Sequence, residues 1–192
     1  IMSADGLRLA AWLIPAEDSK STAAVILLHG YPAEKADLLP IAVALHKRLH
    51  TLLVDMRYFG KSHGRFTTLG LRERDDLKRA VDVLVERGYQ RIGVFGFSLG
   101  GAVAITTAAD DERIRAVAAY AAFSDLSALG RETYAHLGPL KYPLVELMRL
   151  WARIVLGGDP TLVSPLEAAP RVAAPLLLIH SREDEQIPFG HA

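Results

Sequence analysis

Apolar residues fall into short, nearly unbroken runs separated by longer stretches with helical spacing. Ala24–Leu28, Thr51–Val54, Ile92–Phe97, Ala116–Ala122 and Pro175–His180 are such runs, the pattern of strands covered on both faces. Between them, Asp37–Leu49 predicts a helix with Ile41, Leu45 and Leu49 on one side. Leu69–Arg87 predicts a second, with Leu77, Ala80, Val81 and Leu84 at i, i+3, i+4, i+7. The other side of that helix is dense in Arg, Asp, Lys and Glu, which reads as a solvated face, and Gly88 reads as its C-cap. A further helix follows Ser98. This alternation predicts one α/β domain with a mostly parallel, twisted sheet and helices on both faces.

Two regions depart from the alternation. Near the start, Asp5-Gly6 predicts a two-residue hairpin with a type I′ turn. A strand over Leu7–Ile14 and a polar loop over Pro15–Thr22 follow. Between Ser127 and Ala174 lies an insert holding an amphipathic helix, with Leu144, Leu147, Met148, Trp151, Ile154 and Val155 on one stripe. Such a stripe fits either a helix packed on the sheet or a lid over a substrate pocket. Gly157-Gly158-Asp159-Pro160 then breaks the helix.

Bulk composition narrows the function classes. The chain has 192 residues, 51% hydrophobic and 23% charged, with 22 basic residues balancing 22 acidic ones. That suits one globular domain with a single core. A zero formal charge gives no electrostatic footprint for nucleic acid or an anionic membrane. With no cysteine, disulfides, thiolate nucleophiles and thiolate metal sites are excluded. Ile92–Ala109 runs 18 residues without a charge and contains a GxxxG at Gly96 and Gly100, but its glycines, serine and threonines fit a strand, a tight turn and a buried helix better than a membrane span. No signal peptide opens the chain, which points to a cytoplasmic location. Its first residue is Ile1 rather than Met, so further chain is expected ahead of it. No cofactor motif or metal cluster is recognisable.

The chemistry concentrates at Gly96-Phe97-Ser98-Leu99-Gly100, a G-x-S-x-G pattern. A serine on a sharp strand-to-helix turn projects its hydroxyl away from the backbone, and the close approach of the two segments demands glycine on both sides. The helix N-terminus that follows favours developing negative charge. The bare pattern arises by chance in roughly one chain of this length in fifteen, so the weight rests on the flanking strand and tightly packed helix. His29-Gly30-Tyr31-Pro32 follows the first buried strand, where acyl-transfer enzymes place an oxyanion loop. Pro32 has no N–H, so the backbone N–H groups of Tyr31 and Leu99 are the expected oxyanion hole. His29, at a strand end before a glycine, reads as structural.

Together these motifs resemble the α/β-hydrolases, in particular a bacterial serine-hydrolase group with an HG-Y/x oxyanion loop, a D-x-R-x-x-G-x-S loop and G-F-S-x-G-G. The resemblance covers essentially the whole chain. It implies a nucleophile at Ser98 and structural roles for Asp55 and Arg57 in the Asp55–Ser62 loop. That family usually has glycine where Tyr58 stands, so this loop's backbone is expected to differ. His180-Ser181-Arg182-Glu183-Asp184-Glu185-Gln186-Ile187-Pro188 resembles the family's acid loop, which places the triad acid on Asp184. A plain solvated acidic loop is the alternative reading, and Asp125 is the rival acid. The acid would hold a histidine in one tautomer and stabilise its imidazolium.

In this family the order is Ser, Asp, His, with a crossover helix and a strand before the histidine. Those elements need at least roughly 16 residues. Ala192 lies only eight residues after Asp184, and His191 seven. The resemblance therefore implies that the last helix, last strand and catalytic histidine lie beyond residue 192, with His191 a poor candidate. The implied activity is serine-dependent cleavage of small-molecule esters or thioesters through an acyl-enzyme. Peptidase and acyltransferase chemistry use the same machinery, and a non-catalytic binding relative remains the alternative from another class. Alanine richness and sixteen arginines against six lysines point to a GC-rich bacterial genome.

Overall fold

A computed structural model of the chain describes residues 1–18 and 20–192. It contains a six-stranded sheet in the order β1-β3-β2-β4-β5-β6. The strands are β1 (Ala11–Ile14), β2 (Ala23–Leu28), β3 (His50–Val54), β4 (Arg91–Phe97), β5 (Ile114–Tyr120) and β6 (Leu176–Ile179). Only β1 runs antiparallel, pairing Ala11 with Val54; β2 pairs β3 and β4 in parallel, and β5 pairs β4 and β6 in parallel. Each predicted buried strand is present within a residue or two of its expected bounds.

Side-chain alternation divides the core between the two faces. Ile26 and Leu28 of β2, with Leu52 and Val54 of β3, point towards α2 (Glu73–Glu86) and α3 (Leu99–Ala108). Leu27 and Leu53 point to the opposite face, where Leu38 and Ala42 of the turn and helix α1 (Leu39–Leu45) cover them. Helices thus lie on both faces, as the alternation predicted. The charge-free stretch Ile92–Ala109 is β4 and the fully buried α3. No helix among the described residues is long and apolar enough to cross a membrane.

Several boundaries differ from the sequence expectation, each for a local reason. Gly6 has φ 82° and Asp5 is not left-handed. Gly6 N–H donates to Ser3 C=O and Ser3 N–H to Leu7 C=O, so the hairpin is a three-residue loop with glycine at its left-handed position rather than a type I′ turn. The strand after it shrinks to Ala11–Ile14, with an isolated bridge from Met2 to Arg8. The polar loop expected at Pro15–Thr22 passes through Ser19, which lies outside the described residues. The first predicted helix opens as a 3-10 turn, Lys35–Leu38, and α1 ends at Leu45. The second starts at Glu73 because Leu69 (φ 54°) and Gly70 (φ 104°) are left-handed.

The charged side of α2 is not wholly solvated. Glu73, 1% exposed, accepts from Thr67 Oγ1, Thr68 N and Oγ1, and Gly70 N. Buried Asp76 takes both prongs of Arg57 at 2.7 Å, and Arg57 reaches Asp5 of the hairpin at 2.9 Å. Two carboxylates on one helix thus tie down segments that precede it, Thr67–Gly70 directly and, through Arg57, the first hairpin.

The insert holds α4 (Leu126–Thr133), α5 (Lys141–Leu156) and the short α6 (Pro165–Ala168). On α5 the inward positions are Val145 and Leu156, with Arg149 and Ala152 half-buried. The predicted apolar stripe does not pack on the sheet: Leu147 (63%), Trp151 (64%) and Ile154 (67%) face outward. An Arg149–Asp159 ion pair at 2.8 Å occupies the inner side instead, with Asp159 also accepting from Thr161. Periodicity located the helix but not the side it buries.

Candidate active site

Loops after β2, β3, β4, β5 and β6 all emerge at one edge of the sheet, because these strands are mutually parallel. In open α/β sheets this is the edge at which ligands bind. The chemically marked segments lie on those loops: His29–Pro32, Asp55–Ser62, Ser98, Asp125 and Ser181–Pro188.

Ser98 joins strand to helix. Its N–H donates to Tyr120 C=O of β5 at 2.8 Å, and its C=O accepts from Ala102 N–H of α3 at 3.1 Å. Between these two ladders its backbone is forced to φ 51° and ψ −115°, a conformation that L-residues adopt at a cost and retain only when their surroundings over-determine it. The surroundings here are the flanking glycines. A Cβ on Gly96 would lie 2.2 Å from Gly100 O, and one on Gly100 would lie 2.5 Å from Leu28 O and 2.6 Å from His29 O. Helix α3 therefore sits directly on the ends of β4 and β2.

The loop after β2 is packed against the serine. A Cβ on Gly30 would lie 3.1 Å from Ser98 Cβ and 2.8 Å from the Phe97 ring. Among the described residues, neither Tyr31 N–H nor Leu99 N–H donates to another group of the chain. Leu99 opens α3, so its N–H has no acceptor within the helix. The structure thus brings Gly30, the neighbour of Tyr31, against Ser98, and Tyr31 and Leu99, which flank that contact in sequence, each carry an unengaged N–H. Tyr31 is 59% exposed, and its ring meets Phe59 edge-on at 5.6 Å.

His29 is a fixture of this loop. Its Nε2 accepts from Met56 N–H at 3.0 Å, so Nδ1 carries the proton and donates to Gly30 C=O at 2.7 Å. Burial pushes its pKa below the usual histidine range, although the Gly30 carbonyl opposes the shift. It is a neutral brace between two loops. The Asp55 carboxylate receives Lys35 N–H, the Lys35 ammonium and Lys61 N–H. Burial alone would raise it; those donors outweigh burial and hold it below the ordinary carboxylate range. Tyr58, expected to change the loop's backbone, stands at φ 77°. That is a left-handed conformation glycine would favour, so the tyrosine bears the strain.

Asp184 lies on the loop after β6, two strands from Ser98. Its Oδ1 accepts from Gln186 N–H at 2.9 Å and Ile187 N–H at 2.8 Å. Its Oδ2 stands 3.8 Å from His180 Nε2, which donates to Ile187 C=O at 2.7 Å. Among the described residues no hydrogen bond links Asp184 to Ser98. The rival Asp125 caps α4, accepting from Ala128 N–H at 2.7 Å. His191 is buried, with Nδ1 accepting from Ser124 N–H at 3.1 Å and Nε2 facing Glu132 at 3.1 Å. Both its nitrogens are therefore engaged away from Ser98. Neither the Ser124–His191–Glu132 group nor the left-handed Ala121 (φ 51°) beside Tyr120 had a signal in the sequence. An apolar cavity of about 290 Å³ lies between α4 and α5, lined by Leu126, Leu129, Val145, Met148 and Ala152; Tyr31, Ser98, Leu99 and Asp184 do not line it.

Comparison with known proteins agrees with this architecture. The family described as alpha/beta hydrolase fold matches residues 23–139. The uncharacterized protein YfhR of Escherichia coli O157:H7 is 31% identical over 199 aligned positions, covering 98% of this chain and 63% of that protein. The uncharacterized protein YqkD of Bacillus subtilis is 27% identical, with 99% and 64% covered. The chain thus spans somewhat under two thirds of the length of these relatives. The Pyrococcus furiosus esterase Pf2001 superposes with a TM-score of 0.78 at 29% identity, covering 100% of this chain and 72% of that one. The alpha/beta hydrolase GrgF of a Penicillium species, at 23% identity and TM-score 0.74 over 98% of this chain and 80% of that one, shares the fold. By sheet order, helix placement and family match, this chain belongs to the α/β-hydrolase fold family.

Proposed function

We propose that the whole protein is a serine hydrolase cleaving carboxylic ester or thioester bonds through an acyl-enzyme. The observation that carries this reading is Ser98 held at φ 51° beside the unengaged N–H groups of Tyr31 and Leu99. In the reaction, Ser98 Oγ attacks the carbonyl carbon and its proton passes to a histidine. The carbonyl oxygen becomes an oxyanion that accepts from the two N–H groups. Collapse expels the alcohol or thiol, which takes the proton from the histidine, and water repeats the sequence to release the acid. Asp184 orients the histidine; its Oδ1 is already fixed by two backbone donors, which leaves Oδ2 for the imidazole.

None of the seven histidines hydrogen-bonds Ser98 among the described residues, and His29, His180 and His191 have other partners. The base in this reading is therefore a histidine outside residues 1–192. The helical insert serves as the lid, since it starts from the end of β5, the strand bonded to Ser98 N–H. The esterase neighbour from P. furiosus supports the reaction class.

The test uses the whole gene product with p-nitrophenyl acetate as substrate and a fluorophosphonate as covalent probe. Label on the peptide containing Ser98, with hydrolysis lost in Ser98→Ala, is the expected result. Unchanged hydrolysis in Ser98→Ala refutes the assignment. Absence of both label and turnover would favour a non-catalytic binding relative.

A further inference from the structure

Helix α5 shows solvent a face that a soluble helix normally hides. At about 100° per residue, Leu147, Leu150, Trp151 and Ile154 share one stripe opposite the inward Val145 and Leu156, and they are 63%, 55%, 64% and 67% exposed. Leu140 at 68% continues the stripe and Val155 at 46% flanks it. At roughly 100 Å² per residue the patch is on the order of 600 Å², the upper end of what a monomer exposes, and it approaches the ~800 Å² per partner of a standard interface.

The pattern on this face is its own complement. Reversing the helix about the point between Leu150 and Trp151 exchanges Leu147 with Ile154 and Leu150 with Trp151. A twofold axis there sets the same flank of each helix against the other. One flank carries Glu146 and Arg153, whose side chains are 63% and 58% exposed. In an antiparallel pair Glu146 of one copy approaches Arg153 of the other, twice over. Their partners within one copy are distant, Glu146 to Arg149 at 3.7 Å and Arg153 to Asp159 at 3.9 Å, and both of those partners bond each other more closely, at 2.8 Å, so Glu146 and Arg153 are free to exchange.

We propose that the outward face of α5 is a self-association surface, on which two copies of this chain pack their α5 helices antiparallel about a twofold axis. A two-fold contact requires a self-complementary patch, and this one matches itself in its apolar positions, with Glu146 and Arg153 of opposite copies falling ~3 Å along the helix from level on the same flank. This inference does not depend on the hydrolase reading.

The experiment is sedimentation equilibrium on the whole gene product and its variants, with far-UV circular dichroism to verify folding. The expected result is a dimer that becomes monomeric in Trp151→Glu. Glu146→Arg and Arg153→Glu should each weaken association about tenfold, because like charges then meet across the axis. The double variant Glu146→Arg/Arg153→Glu should recover the original affinity. All three positions are exposed, so these variants keep the fold. A monomeric parent overturns the proposal, as does association that survives Trp151→Glu, which would point to another surface. Failure of the double reversal to recover affinity overturns the antiparallel geometry. Monomers that bind phosphatidylglycerol vesicles through Trp151 would assign the face to a lipid surface instead.

Discussion

Replacing Gly96 by alanine should damage the fold far more than the same change three residues earlier, and the difference follows from where the added methyl would go. At Gly96 it would lie 2.2 Å from Gly100 O, 2.3 Å from Gly100 C and 2.5 Å from Gly101 N. All three are backbone atoms at the start of a fully buried helix, so no side chain can swing aside. Relief requires α3 to lift off the sheet by about an ångström, opening the densest part of the core. Overpacking of an ordinary core site costs about 1–3 kcal/mol; with rigid backbone as the obstacle, about 3 kcal/mol or more is expected. For a chain of this size that lowers the melting temperature by roughly 6–12 °C. At Gly93 the nearest atoms are Ala116 O and Val25 Cγ2, both at 3.6 Å, and φ is not left-handed, so Gly93→Ala should be neutral or stabilise by up to about 1 kcal/mol. Gly100→Ala should match Gly96→Ala. Thermal and urea melts of the three variants in parallel decide the matter. A Gly96→Ala protein melting within 2 °C of the parent, by the ~2–4 °C per kcal/mol scale, would show that α3 does not rest on the elbow as described.

Other expectations follow from single residues. Glu73→Ala strands the Thr68 and Gly70 N–H groups and two hydroxyls, so its urea midpoint should fall by the equivalent of about 3–5 kcal/mol, with Glu73→Gln in between. Tyr58→Gly removes a left-handed tyrosine (φ 77°) whose side chain is half exposed; a gain of up to about 1 kcal/mol is expected, read as a small rise in melting temperature, and a fall would contradict the strain argument. Burial would raise the Asp159 carboxyl, but Arg149 and Thr161 outweigh it and lower its pKa to about 2. A depressed acid contributes stability above its unfolded value near ~3.9, and here that contribution is lost as pH falls through about 2. The acid-unfolding curve of Asp159→Asn should accordingly be flatter than the parent's over that window, whereas identical curves would remove the ion pair from the account.

Much of the site's local form was legible because its causes are local. A strand, a glycine-flanked serine and a helix dictate a strained turn, and the structure puts Ser98 at φ 51° with the clashes that the glycine spacing implied. The structural role of His29 was legible from its place at a strand end before glycine, while its neutral state came from the Met56 and Gly30 bonds of the folded chain. The mostly parallel sheet and the helices on both faces followed from the alternation, whereas the strand order β1-β3-β2-β4-β5-β6 came from the tertiary structure.

What needed the tertiary structure were properties set by partners distant in sequence. The side of α5 that faces inward depends on Arg149 meeting Asp159 across a turn, and the apolar stripe, taken alone, indicated the opposite side. Glu73 and Asp76 look like any solvated acids on an amphipathic helix until Thr68, Gly70 and Arg57 fold over them. The engagement of His191 by Ser124, 67 positions earlier in the chain, is likewise invisible to any window of sequence. Hydrophobic period and turn chemistry are local and can be read from residues in order. Burial of a charge is a pairwise property of the folded chain, because an ion leaves water only where its partner has already been placed.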